Sequence, residues 1–326
     1  MSTLFSHFFT KINQISPLEH DFTEVLDSIA LKPKILYFYG KMPENVLKNG
    51  KNERPKTVAI VGSRHNTKYG EEIAYKMAYE LAKQGVIIVS GLAYGIDSIA
   101  HRGCLDAGGV TVAILGTPID QIYPRNHTKL AAEIIKKSGA IISEYAPSSQ
   151  QDAILAPGEY VTDQGQRQKN SKLSFLYRNR LISGLADIVV VVEAAERSGS
   201  LNTATHALEQ GRDVFAVPGN ITNPYSQGCN KLISQGAFPY TCPDDILQIL
   251  FPEDFAKKQK HLKKAKLIGD NDVETAILQA LGSGLRCNDE IMGATHLPPE
   301  VFNQSIAILE IQNRIRSLTG GGWVLN

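Results

Sequence analysis

Short apolar segments alternate with amphipathic segments from Thr57 to about residue 250. The segment TVAIVG is followed by KYGEEIAYKMAYELAKQG, in which Ile73, Met77 and Leu81 recur at helical spacing before a glycine. Five further apolar segments are VIIVSG, VTVAILG, AIISEY, DIVVVVEA and DVFAVPG, and helical patterns separate them. Strands this apolar are buried on both faces. The pattern therefore predicts an α/β fold with a Rossmann-like, doubly wound and mostly parallel sheet.

Four segments follow from this pattern. Residues 1–54 are predicted to be an N-terminal arm in which ALKPKILYFYG forms an accessory strand, and residues 55–252 to be the Rossmann-like domain. Residues 253–268 contain six lysines and are predicted to be a linker, either solvated or in weak contact with nucleic acid. Residues 269–326 have three helical patterns and then a hairpin around three glycines, which is the order of a winged helix.

The third helix of this small module carries little positive charge. It has Glu300 and Glu310, and Arg314 stands only at its end. Helices that recognise bases in the major groove normally use Arg, Lys, Asn or Gln. We therefore expect the module to make protein contacts or to pack, rather than to recognise a duplex sequence.

Composition restricts the partners and the compartment. The 326 residues include 34 basic and 33 acidic side chains, so any basic site must be local. The four cysteines are scattered without a metal-ligand spacing and are expected to be reduced thiols: Cys104, Cys229, Cys242 and Cys287. No signal peptide and no apolar stretch of about 18 residues is present. The sequence predicts a cytoplasmic protein without a membrane partner.

The residues that follow several of the predicted strands are rich in glycine. Ligands of open parallel sheets bind beyond the carboxyl ends of the strands. These ends contain Gly62-Ser63-Arg64, Ser90 to Asp97, Gly116 to Asp120, Ser198-Gly199-Ser200 and Gly219-Asn220. Glycine permits close approach of a ligand, and a helix N-terminus favours an anion. The sequence therefore predicts a phosphate-binding strip, with charge from Arg64, Arg178, Arg180 and Lys231.

Each of these signals also has a structural explanation. Ser198 and Thr203 are candidate helix caps, and Arg178 or Arg180 is a candidate for a structural salt bridge.

The sequence contains no complete set of catalytic residues. Asp97 and His101 have the spacing of an acid and a base on one helix. The favoured explanation is that Asp97 caps the helix and that His101 forms a hydrogen bond to Asp97 or to the backbone. Glu144 and Glu193 follow strands without a nucleophile or metal cluster nearby in the sequence. Neither GxGxxG nor GxxxxGK[ST] is present, so no NAD, ATP or other cofactor is predicted, and no enzyme.

Many motifs, in this order and spacing, resemble those of the DNA-processing protein A family, DprA, also called Smf. They include VAIVGSR, SGLAYGIDSIAH, AILGTPIDQIYPRNH, FLYRNRLISGLADIVVVVEA and SGSLNTATHALEQGRDVFAVPG. The resemblance covers about residues 33–245, and the C-terminal module is similar to one that many members carry. The resemblance implies a non-enzymatic homodimer that binds single-stranded DNA with little sequence preference and loads the RecA recombinase onto it during natural transformation.

The resemblance also assigns binding residues, with one region left open. The DNA-binding roles fall on Ser63, Arg64, Gly91, Arg178, Asn179, Arg180, Ser198, Gly199, Ser200 and Lys231. A long connection after ISEY contains Arg167, Lys169 and Lys172, which either extend the DNA track or solvate a loop, the second being favoured. Tyr94, Tyr123 and Tyr177 are the candidates for stacking on bases.

Two other functions stay open. One is a nucleotide-derivative hydrolase or sensor on a lysine-decarboxylase-like scaffold. That group carries the motif PGGxGTxxE, whereas the comparable segment here is SGSLNTATHALE, in which the acidic residue, Glu209, stands several positions further along the chain than the motif requires. The other is a duplex DNA regulator that uses the winged helix, which the acidic third helix disfavours. Binding of single strands is therefore the leading hypothesis.

Overall fold

The computed structural model describes residue 9 and residues 11–48, 51–148, 159–161, 167–169, 171–256, 267–318 and 321–326. The chain divides into two compact units, Met1–Leu250 and Phe251–Asn326. The six lysines of the predicted linker, and the side chains of Arg167, Lys169 and Lys172, lie outside the described part of the protein.

The first unit is built on a nine-stranded sheet with two separate hairpins. Its strands are β1 Asn13–Ile15, β2 Leu36–Gly40, β3 Val46–Lys48, β4 Lys51–Glu53, β5 Thr57–Val61, β6 Ile87–Ser90, β7 Thr111–Leu115, β8 Ala140–Ser143, β9 Glu159–Val161, β10 Arg167–Lys169, β11 Ile188–Val191, β12 Asp213–Ala216 and β13 Phe238–Pro239. The sheet order is β1-β2-β8-β7-β6-β5-β11-β12-β13, while β3 pairs with β4 and β9 with β10. All neighbours from β8 to β13 are parallel, and β1 and β2 are antiparallel additions.

Helices cover both faces of this sheet. They are α1 Asp21–Glu24, α2 Lys68–Lys83, α3 Ile96–Asp106, α4 Thr128–Lys136, α5 Ser171–Leu185, α6 Gly199–Glu209, α7 Gln227–Ser234 and α8 Pro243–Leu250. On β7, Val112 and Ile114 pack in one core with helices α5 and α6, while Ala113 and Leu115 pack in a second core with α4. Because every residue of such a strand is buried, the strand needs an uninterrupted apolar sequence. The predicted Rossmann-like architecture is confirmed.

The strand order changes direction beside β5. From β5 the chain proceeds through β6, β7 and β8 to one side, and then crosses to β11 and β12 on the other. In such sheets the connections that follow the two strands at the reversal lead to opposite faces of the sheet, and they leave a crevice outside the carboxyl ends of the strands. The boundary between β5 and β11 is therefore the position in this fold where a ligand site is expected.

The N-terminal segment takes part in the sheet more fully than the sequence indicated. The segment ALKPKILYFYG contains β2, which pairs with β8, and β1 adds a further strand at that edge. Helices α7 and α8 were also not predicted, because the segments SQGCNKLI and PDDILQIL are too short for a clear helical period.

The second unit has the predicted winged-helix order. Helices α9 Asp272–Gly282, α10 Asn288–Thr295 and α11 Pro299–Ile311 are followed by the antiparallel strands β14 Ile315–Ser317 and β15 Trp323–Leu325. Side chains of all three helices share one apolar core, which includes Leu278, Ile291 and Phe302. Helix α11 carries Glu300 and no basic residue, as its sequence indicated.

Some negative findings apply to the described residues. None of their helices combines the length and the hydrophobicity that a bilayer crossing requires. Within the same ranges no group of His, Cys, Asp or Glu side chains has the arrangement of a metal site. Cys104 and Cys229 are buried free thiols, and Cys242 and Cys287 are exposed free thiols.

His101 has a structural environment instead of a catalytic one. Its ring is fully buried in α3, and Nδ1 lies 2.7 Å from the Thr111 hydroxyl oxygen, so its partner is Thr111 and not Asp97. Burial, with smaller contributions from the nearby His127 and Arg178, lowers the pKa of His101 to about 3. An imidazole that is fully buried and whose pKa is lowered this far is a weak base that a substrate cannot reach, so it does not serve as a general base.

This environment predicts a pH-dependent stability. In the unfolded chain a histidine titrates near pH ~6.5, so between there and about pH 3 the unfolded state binds a proton that the folded state does not. Stability is then lost as the pH falls through this window, by up to about 1.4 kcal/mol per pH unit. Urea unfolding at several pH values should show a shallower loss for His101→Gln. The exposed His65→Gln should follow the wild type, and equal slopes for all three proteins would contradict this account.

Candidate functional site

A cleft of about 500 Å³ opens between the carboxyl ends of β5 and β11. Its walls come from the loops after these two strands and from helices α5 and α6. The lining includes Gly62, Ser63, Arg64, His65, Asp97, Phe175, Leu176, Arg178, Asn179, Arg197, Ser198, Gly199 and Ser200. We call it the switch-point cleft, because it lies where the strand order reverses.

Three arginines give the cleft its charge. Arg64 and Arg197 are exposed, whereas Arg178 is only 4% exposed and donates through Nη1 to the Gly91 carbonyl oxygen, 2.9 Å away, and to the Ile114 carbonyl. Burial lowers the pKa of Arg178 to about 10, with the charge of Asp97 opposing this effect. Arg178 therefore stays charged at neutral pH while it ties the ends of β6 and β7 together.

The loop after β6 is fixed by a buried carboxylate. Asp97 Oδ2 accepts hydrogen bonds from the N–H groups of Gly91 at 3.1 Å and Ala93 at 3.4 Å. Between them, Leu92 has a φ of 58°, a strained value for a residue with a branched side chain. Burial raises the pKa of Asp97, and the charge of Arg178 acts against it. The loop is thus held in one conformation beneath the arginines.

Gly91 is required by the close approach of Arg178. A Cβ atom at this position would lie 2.5 Å from Arg178 Nη1. A side chain here would therefore displace the guanidinium from its carbonyl partners.

The N-terminus of α6 forms the opposite wall. Ser198 is the N-cap, and its hydroxyl accepts a hydrogen bond from the Ser200 N–H at 3.4 Å. Asn179 Nδ2 donates to the Gly199 carbonyl oxygen at 3.1 Å, which holds α5 against this turn. Thr203, the other candidate cap, is instead buried inside the helix. A helix N-terminus that opens into a positively charged cleft favours an anion.

Aromatic rings lie beside the cleft. Tyr94, Tyr123 and Phe175 line a smaller adjoining pocket, which they share with Arg64, Gly91 and Arg178, and which we call the aromatic pocket. The Phe175 ring is 5.5 Å from the Arg64 guanidinium and 5.2 Å from the Tyr123 ring. Of the three tyrosines singled out in the sequence, Tyr94 and Tyr123 are in this pocket. Tyr177 lies elsewhere.

The structure brings together most of the predicted binding residues. The cleft contains Ser63, Arg64, Arg178, Asn179, Ser198, Gly199 and Ser200, and Gly91 lines the aromatic pocket. Lys231 lines neither of them; it is exposed in the last turn of α7. The sequence reasoning missed Arg197 and Phe175. Both stand within segments that carry predicted binding residues, ERSGS and FLYRNR, so their position was visible even though their role was not.

Arg180 does not line the cleft, so the structure does not bring it together with Arg178 and Asn179 of the same RNR motif. It is 2% exposed, and Nη2 lies 2.8 Å from both carboxylate oxygens of Glu144. Nε donates to the Leu31 carbonyl oxygen at 2.7 Å and Nη1 to that of Tyr177 at 3.1 Å. Since α5 is helical, Arg178 and Arg180 point to different sides of it. Arg180 is the structural arginine that the sequence left open.

The two glutamates that follow strands have separate partners. Burial raises the pKa of Glu144, and the charge of Arg180 opposes this shift. Glu193 accepts hydrogen bonds from the N–H and the hydroxyl of Thr67, at 2.8 and 2.6 Å. They therefore do not form a catalytic carboxylate pair.

The buried ion pair predicts a large effect on stability. Glu144→Gln leaves the Arg180 guanidinium buried without its counter-charge, and should lower the free energy of unfolding by about 3 kcal/mol. The control is Glu71→Gln, which removes an exposed carboxylate 3.8 Å from Lys68 and should cost less than about 1 kcal/mol. Urea unfolding measures both values. Equal destabilisation of the two variants would show that the buried pair is not stabilising the fold.

Comparisons with known proteins match both units of the chain. Residues 13–251 match the model of the DNA recombination-mediator protein A family, and residues 262–321 match that of the DprA winged helix domain. The chain is 46% identical to protein Smf of Escherichia coli over 193 residues. The matched segment covers 59% of this chain and 46% of that protein. The chain thus spans about half the length of this relative.

Two solved structures are similar as well. DNA processing protein A from Streptococcus pneumoniae is 37% identical with a TM-score of 0.59, over 74% of this chain and 75% of that one. DNA processing protein A from Helicobacter pylori, described for its single-stranded DNA binding mode, is 29% identical with a TM-score of 0.59. The match covers 76% of this chain and 98% of that one. Family models match both units, so the chain belongs to the DNA recombination-mediator protein A family, DprA/Smf.

Proposed function

We propose that the protein binds single-stranded DNA in the switch-point cleft without strong sequence preference. The observation that carries this proposal is the convergence of Arg64, Arg197 and the α6 N-terminus on one cleft that adjoins an aromatic pocket. Binding of single-stranded DNA by the Helicobacter pylori relative supports it.

The cleft suits the phosphates of the strand. Arg64 and Arg197 are exposed and close enough to the same cavity to neutralise neighbouring phosphates. The first turn of α6 adds backbone N–H donors and the positive end of the helix dipole. Contacts of this kind position a strand without selecting its sequence, since every nucleotide has the same phosphate.

The aromatic pocket suits the bases. Tyr94 is 43% and Tyr123 is 48% exposed, so a large part of each side chain is accessible to a base. Stacking contributes about 1–3 kcal/mol per base and tolerates any sequence. In a duplex the base faces are covered by neighbouring bases, so this contact favours single strands.

The positions of the carboxylates favour binding over hydrolysis. Asp97 is the one carboxylate in the described lining of the cleft, and it accepts hydrogen bonds from two backbone N–H groups. Glu209 is at the last residue of α6, far from the N-terminal turn that faces the cleft. This arrangement supports binding of an anion in preference to the hydrolase alternative.

Further roles rest on the family. We propose that the protein acts as a homodimer and transfers the bound strand to the RecA recombinase, in keeping with the family description as a recombination mediator. The acidic α11 supports a protein-contact or packing role for the winged-helix unit in preference to duplex recognition.

Salt-dependent binding tests the central part of the proposal. Fluorescence anisotropy with a labelled single strand and its duplex should show preference for the single strand. The log–log salt slope should become smaller by about 0.7 for each phosphate that Arg64→Ala or Arg197→Ala leaves without its cation. Arg102→Ala is the matched control, because it removes an equal, exposed charge from α3 outside the cleft.

Two outcomes would contradict the proposal. One is a slope that falls equally in Arg102→Ala and in the cleft variants, because binding would then depend on overall charge. The other is the absence of binding at moderate salt. In that case competition with mononucleotides would test the small-ligand alternative, for which a cleft of about 500 Å³ is large enough.

A further inference from the structure

A second groove lies between α5 and α6, on the other side of Leu176 from the cleft. It has a volume of about 360 Å³ and is lined by Leu173, Leu176, Tyr177, Asn202 and His206. None of these five residues is among the binding residues predicted from the sequence motifs, although Tyr177 was considered for stacking. We call it the α5–α6 groove.

The groove is continuous with the switch-point cleft. Leu176 lines both of them. Asn179 connects them as well, because its Nδ2 donates to the Gly199 carbonyl oxygen in the cleft and, at 3.3 Å, to Asn202 Oδ1 in the groove. A strand that leaves the α6 N-terminus along the helix therefore enters the groove directly.

The chemistry of the groove differs from that of the cleft. Its five lining residues include no lysine or arginine, so it offers no site for a phosphate. Leu173 and Leu176 are 46% and 37% exposed, which leaves apolar surface for a flat group to cover. The Tyr177 ring is held by the Arg180 guanidinium 3.8 Å from its centroid, and Arg180 is fixed by Glu144. A ring that is already fixed loses little freedom when a base covers it.

Polar groups stand at one edge of the groove. Asn202 and His206 are one helical turn apart on the same face of α6. Asn202 Oδ1 accepts from Asn179, and among the described contacts its amide NH₂ group has no acceptor. His206 Nδ1 lies 3.3 Å from Glu209 Oε2, which orients the ring. An amide donor beside an apolar and aromatic surface is suited to a base carbonyl or ring nitrogen.

We propose that the α5–α6 groove binds a nucleobase of the single strand whose phosphates occupy the switch-point cleft. The proposal rests on the proposed function and extends it: bases are held on both sides of the phosphates, by the aromatic pocket on one side and by the groove on the other. The DNA strand then passes over the N-terminus of α6 as well as over the loops after β5 and β6.

Charge placed in the groove tests this path. His206→Glu puts a carboxylate at the groove, where it repels the strand, and should weaken binding of a thymidine strand of about 20 nucleotides roughly ten-fold. Leu208→Glu is the control, since it adds the same charge to an exposed position of the same helix that does not line the groove. Asn202→Ala, which adds no charge, should weaken binding about three-fold. Thermal unfolding checks that all variants are folded.

Photo-crosslinking locates the base directly. Strands with 5-iodouracil at single positions should give crosslinks to Tyr177 or His206, in addition to those in the aromatic pocket. The inference is overturned if His206→Glu and Leu208→Glu bind equally and crosslinks are confined to Tyr94, Tyr123 and Phe175. If Arg64→Ala still weakens binding in that case, the proposed function stands without the groove. If the wild type binds no single strand, both fail.

Discussion

The site depends on one constraint, the reversal of strand order between β5 and β11. The parallel strands on either side of it are buried on both faces, so their central residues are apolar and polar side chains of the site stand in the loops after their carboxyl ends. At the reversal Glu193 joins the loops after β5 and β11 through its hydrogen bonds to Thr67, and the cleft lies between the other parts of these loops. The arginines, the α6 N-terminus and the aromatic pocket are arranged around this space.

Within the site, buried and exposed arginines have different tasks. Arg178 and Arg180 are both on α5, and both donate inside the protein. Arg178 donates through Nη1 to the carbonyl oxygens of Gly91 and Ile114, and Arg180 donates to Glu144 and nearby carbonyls. Arg64 and Arg197 remain exposed at the mouth of the cleft. Arg178 fixes the strand ends beneath the cleft, and the exposed Arg64 and Arg197 are accessible to a ligand. A preformed cleft of this kind binds an anion with little rearrangement.

Much of the architecture could be predicted from the sequence, because strands such as TVAIV and DIVVVV are too apolar to be anything but central, and because glycines stand in the loops that follow them. The same pattern predicted that the candidate site would lie at the carboxyl ends of the strands, where the cleft is found. The direction of individual side chains could not be predicted. Arg178 and Arg180 are two positions apart and equivalent in the sequence, but the helix turns them to different surroundings. Lys231 also could not be placed, since α7 itself was not recognised.

The aromatic residues illustrate the same limit. Tyr94, Tyr123 and Tyr177 are alike as sequence signals, and only the packing of Phe175 against Tyr123, and of Arg180 against Tyr177, separates them into two sites. Arg197 was overlooked because a lone arginine in a loop carries no periodic signal. Its importance comes from its position at a cavity, which is a property of the folded chain.

The most direct test of the account is a crystal structure of the protein with a short thymidine oligonucleotide. The account predicts a phosphate at the first turn of α6, within hydrogen-bonding distance of the Gly199 or Ser200 N–H, with Arg64 and Arg197 beside the strand. A strand bound to the winged-helix unit or to another surface, with the switch-point cleft empty, would contradict it.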